Sequence, residues 1–213
     1  MTKKPSYWNV AVKYLSSKDV VMKKLIKKYD DKILTTRGDI FFSLCKSIIG
    51  QQISVAAADS VFSKFKKVCR GKIKPHIVNN KTFSQLKKCG LSKQKVKGIK
   101  ELSKKFLNKE FNPKLINKMN DEDAIVYLSS LRQIGRWSAE MILLFTFNRQ
   151  NIWPIQDIGL LRAISNNYKK NTYPQKTLYL NFKKNFHRIA QLQLGIYGDQ
   201  LTMNQNNIES IFF

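Results

Sequence analysis

Between Leu131 and Asp157 the chain reads LRQIGRWSAEMILLFTFNRQNIWPIQD, and this stretch limits the fold more than any other. It holds a glycine-containing turn, then an apolar helix through Ala139, Met141, Ile142, Leu143 and Phe145, then a proline-marked loop ending in one carboxylate. Upstream, Asp121-Glu122-Asp123 sets Asp121 as the N-cap of a helix carrying Ile125, Leu128 and Leu131. Gly135 supplies the permissive backbone for the turn. Helix, short turn and helix make a hairpin, and the exposed amides that open its second helix can hold a phosphate. A helix–turn–helix that only packs uses similar residues. This stretch alone leaves both readings open.

The rest of the chain repeats the helical period. Two amphipathic helices are expected around Trp8–Leu15 and Val20–Lys28. After Asp39, the residues Phe41, Leu44, Cys45, Ile48 and Ile49 fall on one face of a 3.6-residue period, and Gly50 ends that helix. Ser54 caps the next, where Ala58, Val61, Phe62 and Phe65 keep the spacing. The link Gln51-Gln52-Ile53 is therefore a short polar join between two buried helices, and amide side chains in such a place ordinarily satisfy helix ends.

Ile73, Ile77 and Val78 predict a weak strand. From Gly90 to Phe106 a helix capped by Ser92 is ringed by lysines at 93, 95, 97, 100, 104 and 105. Such a ring is a solvated face or one turned to a phosphate backbone. Beyond Asp157 a helix starts at Gly159–Ile164, and Ser165 to Thr177 reads as loop. Helical periods dominate and strand alternation is nearly absent, so the class is all-α, with no solenoid repeat.

Charge narrows the partners. Lys and Arg number 39 against 14 Asp and Glu, for a net charge of +25. That excess favours a polyanion, most simply nucleic acid, although an AT-rich genome also loads surfaces with lysine. Cys45, Cys69 and Cys89 lack the spacing and number of an iron–sulfur or Cys₄ zinc site. Cys45 falls on an apolar face as a buried thiol. Neither a signal-peptide core nor a membrane-length apolar run is present, which makes the cytoplasm the expected location.

Four segments together match a family. SIIGQQISVAAA (Ser47–Ala58), GLSKQKVKGIKELS (Gly90–Ser103), LRQIGRWSAEMILLF (Leu131–Phe145) and WPIQDIGLLRAI (Trp153–Ile164) resemble DNA-3-methyladenine glycosylase II, of the helix–hairpin–helix DNA glycosylase superfamily. The resemblance covers most of Trp8 to Ile164, in order, and is to the short all-helical form.

It implies a two-lobed fold with the active site in the inter-lobe cleft. Residues 39–156 would form the lobe carrying the hairpin (about 122–148), and residues 1–38 would pack with 157–213 as the other. It further implies a monofunctional enzyme, working as a monomer, that excises alkylated purines of the 3-methyladenine and 7-methylguanine type from double-stranded DNA. No cofactor and no metal ligands are assigned, and the superfamily allows a monovalent cation between hairpin carbonyls and DNA phosphate.

In that reading Asp157 is the catalytic carboxylate, which stabilises an oxocarbenium-like sugar and helps position water. Its alternative is a plain N-cap for the following helix. Trp137 stands where bifunctional relatives hold a lysine. It cannot form an imine, but its indole offers a face for an electron-poor base. Core packing is the alternative there. Met141 lies one turn on, on the pocket side. Gln52 matches the wedge that fills the gap left by an extruded base. Gln133, Gly135, Arg136 and Ser138 are assigned to the flanking phosphate.

The chain departs from the family in three places. Arg132-Gln133 replaces the usual proline-glycine of the hairpin, and Gln156 replaces a second acid before Asp157. The tail lacks the tryptophan-rich helix that resembles PYRSVASWYLWRS. Codons compatible with His187–Asn204 can nevertheless spell PYSTVATWYLWRSID in another frame, just after an adenine-compatible Lys183-Lys184-Asn185. The tail from about Phe186 is therefore expected to be a frame-shifted ending, which the nucleotide sequence tests. Two rival functions stand beside the enzyme: a non-catalytic helix–hairpin–helix module that recognises DNA structure, and a related glycosylase for another lesion.

Overall fold

The computed structural model describes residues 5–29, 39–154 and 156–168. Among these, the regular elements are helices, and no strand occurs. In chain order they are α1 (Trp8–Lys18), α2 (Val20–Lys28), α3 (Ile40–Gly50), α4 (Val55–Val68), α5 (Pro75–Asn79), α6 (Phe83–Lys87) and α7 (Lys93–Leu107). A 3₁₀ turn (Pro113–Lys118) then leads to α8 (Asp121–Ser129), α9 (Arg136–Phe145) and α10 (Ile158–Tyr168).

The chain divides into two compact units. One contains the described residues up to 29 and from Leu143 onward, and the other those from 39 to Ile142. The division falls inside α9, whereas the sequence reading put the lobe boundary at residue 156. The expected C-terminal part of the first lobe lies mostly outside the described residues, as does the tail from Phe186.

In the first unit, Asp19 joins α1 to α2. Its N–H donates to Leu15 O, and its Oδ1 accepts from the Met22 N–H at 2.8 Å. The other carboxylate oxygen, Oδ2, accepts from the Tyr168 hydroxyl at 2.9 Å. That anchor explains why α10 runs on to Tyr168, where sequence reading placed loop from Ser165: a tertiary hydrogen bond outweighs a polar local composition.

The second unit is built on caps that the sequence displays. The side chains of Asp39, Ser54 and Ser92 accept from the N–H of Phe42, Ala57 and Lys95 and start α3, α4 and α7. Phe41, Leu44, Ile48, Phe65, Ile99, Leu102 and Leu128 are buried here. Burial of each large apolar side chain contributes about 1.5–3 kcal/mol.

Two local expectations are corrected. The strand read at Ile73–Val78 is instead the short helix α5, with Pro75 at its first position, where a fixed φ suits helix entry. The N-cap of α8 is Asn120, not Asp121: Asn120 accepts from the Asp123 N–H, and all three acids move into the first turn, where the helix dipole favours them. Cys45, Cys69 and Cys89 are free and buried. Burial pushes the Cys69 thiol up to about 11, so its thiolate form is scarce near neutrality and it stays unreactive.

Candidate functional site

The two turns of interest in the second unit both depend on a left-handed glutamine. Gln52, in the α3–α4 link, has φ +57° and is exposed. Gln133, in the turn between α8 and α9, has φ +68° and is half-buried. Side chains other than glycine rarely adopt this conformation and persist in it where the surroundings dictate it. Sequence reading gave Gly135 the special backbone. The structure gives it to Gln133, the position where the resemblance expects glycine. A Cβ added at Gly135 would meet nothing within 4 Å, so Gly135 leaves open space at the mouth of α9.

Gln51 fastens the two turns together. Its Nε2 donates to Gln133 O at 2.6 Å and to Ser138 Oγ at 3.4 Å. Ser138 is buried, so its hydroxyl faces Gln51 inside the unit. Lys95, one turn into α7, donates through Nζ to Ile49 O at 2.8 Å and to Gln51 O at 2.6 Å. Partial burial lowers its pKa from the usual lysine range. Also on α7, Gln94 Oε1 accepts from Arg132 at 2.8 Å. A Cβ at Gly98 would lie 2.8 Å from Gln133 Cγ, so the turn sits directly on bare helix backbone.

Arg136 opens α9. Its guanidinium donates to Glu122 Oε1 at 2.6 Å, to Glu122 Oε2 at 2.8 Å and, through Nε, to Glu140 Oε1 at 3.1 Å. The bond to Glu122, with the charges of Glu122 and Glu140, raises its already high pKa further. The fork is thus bound to carboxylates of its own unit. Trp137 is half-buried, and Met141, one helical turn further, is 2% exposed.

Asp157 belongs to the first unit. It is 7% exposed, its N–H donates to Pro154 O, and its Oδ1 accepts from the Leu160 N–H at 2.8 Å. It therefore caps α10, the plain role weighed for it. Two carboxylates are buried among the described residues, Glu140 and Asp157. Glu140 accepts from Arg136, and Asp157 accepts from a backbone amide, which fixes the orientation of its carboxylate.

Sequence reasoning missed Gln51, Lys95 and Gly98 as parts of this assembly. A glycine inside a long helix was the available signal, since that residue weakens a helix unless something must approach closely.

A family model described as HhH-GPD superfamily base excision DNA repair protein matches residues 45–187. The chain is 30% identical over 178 residues to the alkylbase DNA glycosidase-like protein mag2 of Schizosaccharomyces pombe, spanning 81% of this chain and 84% of that relative. It is 26% identical over 153 residues to DNA-3-methyladenine glycosylase 1 of the same yeast, with coverage of 69% and 67%.

Among solved structures, the S. pombe 3-methyladenine DNA glycosylase in complex with abasic DNA superposes with a TM-score of 0.77 at 21% identity, over 90% of this chain and 96% of that one. A DNA-3-methyladenine glycosidase from Bacillus halodurans gives 0.76 at 21% identity, over 96% and 94%. At these identities the structural likeness establishes the fold.

Proposed function

Because the chain belongs to the HhH-GPD superfamily of base excision DNA repair proteins, we propose that it is a monofunctional DNA glycosylase for alkylated purines in duplex DNA, acting as a monomer. Asp157 carries the chemistry in this reading. As the bond between C1′ and the base nitrogen breaks, its electron pair leaves with the base and neutralises the cationic purine. Positive charge develops on the sugar, and the buried carboxylate stabilises it. A water then adds its oxygen to C1′ and gives up a proton, the carboxylate helping to position it. The single observation behind the assignment is that Asp157, within a segment the family resemblance matches, is a buried carboxylate whose Oδ1 is oriented by the Leu160 amide.

Binding falls to the other unit. The amides from Gly135 onward at the start of α9 meet the phosphate beside the lesion, Gln52 enters the emptied place in the stack, and the indole of Trp137 stacks on the extruded base. Trp137 has no amine with which to form an imine, so the strand is left uncut. The test is release of free 3-methyladenine or 7-methylguanine from alkylated duplex DNA. Asp157→Asn should abolish release and leave salt-dependent DNA binding intact. Undiminished release by that variant would remove Asp157 from the mechanism.

A further inference from the structure

We propose that Gln51 and Lys95 are positioning residues for base extrusion: they clamp the α3–α4 link to the hairpin turn, so that Gln52 is set in its left-handed conformation before DNA arrives. The inference rests on the glycosylase reading and adds to it how the wedge is held.

Three observations converge. Gln52 is exposed and left-handed at φ +57°, a conformation an exposed glutamine does not keep unaided. The residue before it is fixed at both ends, its side-chain amide on Gln133 O and Ser138 Oγ and its carbonyl on Lys95 Nζ. The same lysine also holds Ile49 O, so one ammonium fixes the end of α3 and the start of the link. Finally, α7 supports both turns: Lys95 reaches the link, while Gln94 and Gly98 meet Arg132 and Gln133 of the hairpin. The wedge and the phosphate-gripping turn therefore share one support.

The plain reading of Lys95 is a cation satisfying carbonyls at a helix C-terminus. It predicts lost stability without any dependence on Gln52. A base that must be pushed out of a paired stack needs a rigid wedge, whereas a lesion facing a one-nucleotide gap does not.

The experiment measures single-turnover release of 7-methylguanine from two duplexes, one with the lesion paired and one with it opposite a gap. Gln51→Leu, Lys95→Met and Gln52→Ala should each slow the paired duplex about tenfold, a barrier change of ~1.4 kcal/mol, and Gln51→Leu and Lys95→Met should leave the gapped duplex unchanged. Gln51→Leu/Gln52→Ala should be no slower than Gln52→Ala, because both act through one element. Lys95→Arg should restore much of the Lys95→Met loss. Multiplying effects in the double variant, or equal slowing on both duplexes, would overturn the proposal.

Should neither the unaltered chain nor one with its ending restored to the normal frame release base, the glycosylase reading fails, and amide hydrogen exchange on the protein alone decides this one. Exchange at residues 51–54 should rise in Gln51→Leu and Lys95→Met. Unchanged exchange in both variants would sink the clamp.

Discussion

The α3–α4 link with its hairpin and the Asp157 cap place functional side chains by opposite means. In the link and hairpin, two glutamines take a left-handed backbone, and Gln51, Lys95 and Gly98 hold them there. At Asp157 nothing is strained: a buried aspartate caps a helix as aspartates ordinarily do. A displayed wedge works against local preference and needs tertiary support. A fixed charge can be stabilised by the same hydrogen bond that orients it. For Asp157 the structural and catalytic roles are therefore compatible, and the question is how to separate them.

The largest expected effect separates them. Asparagine caps a helix about as well as aspartate, so Asp157→Asn should change stability by less than about 0.5 kcal/mol. It removes the charge, however. At ~4 Å and an effective dielectric of ~20 that charge is worth about 4 kcal/mol, or on the order of a thousandfold in single-turnover rate. Asp157→Ala should lose the rate and also about 1 kcal/mol of cap in urea denaturation. If release persists in both variants while only Ala destabilises, the residue is only a cap.

Next in size is the support beneath the hairpin. Gly98→Val places carbon where Gln133 already sits, 2.8 Å from a Cβ, and should cost about 1–3 kcal/mol. It should also weaken duplex binding as the turn shifts. Gly135→Ala is the control. With open space around that Cβ, stability should hold within about 0.5 kcal/mol, while DNA binding measured by anisotropy falls because the methyl meets the phosphate. Equal destabilisation by both would mean that the turn does not rest on α7.

What the sequence displayed was local. Asp39, Ser54 and Ser92 stand one residue before helical periods and do cap those helices, because capping is settled within a single turn. Asp157 was legible as either a cap or a catalyst, and the hairpin helices followed from their period. The rest depends on distance along the chain. Gln51 and Gln133 are 82 residues apart and Lys95 lies 44 from Gln51, so no window of periodicity contains their bonds. Lys95 was hidden among the solvated lysines of α7, and Tyr168 extends α10 through a partner, Asp19, 149 residues away. Gly135 was credited with the turn because glycine usually takes the left-handed place; the chain instead supports a glutamine there by packing.

The smallest effect is the most discriminating, because it applies one substitution to both left-handed positions. A left-handed non-glycine residue costs roughly 1–2 kcal/mol, and glycine returns about 0.5–1 kcal/mol of that through the entropy of the unfolded chain. Gln133→Gly and Gln52→Gly should therefore each stabilise the protein by about 0.5–1 kcal/mol, near the low end for Gln133, whose Cγ packs on Gly98. Their effects on function should part. Gln51 binds the carbonyl of Gln133, not its side chain, so Gln133→Gly keeps the clamp and should leave base release unchanged. Gln52→Gly relieves the same strain but removes the wedge, and should slow release from paired duplex while raising the melting temperature. A stabilised Gln52→Gly protein at full rate would mean the exposed glutamine is only a tolerated turn residue. A slowed Gln133→Gly protein would move the functional side chain to the hairpin.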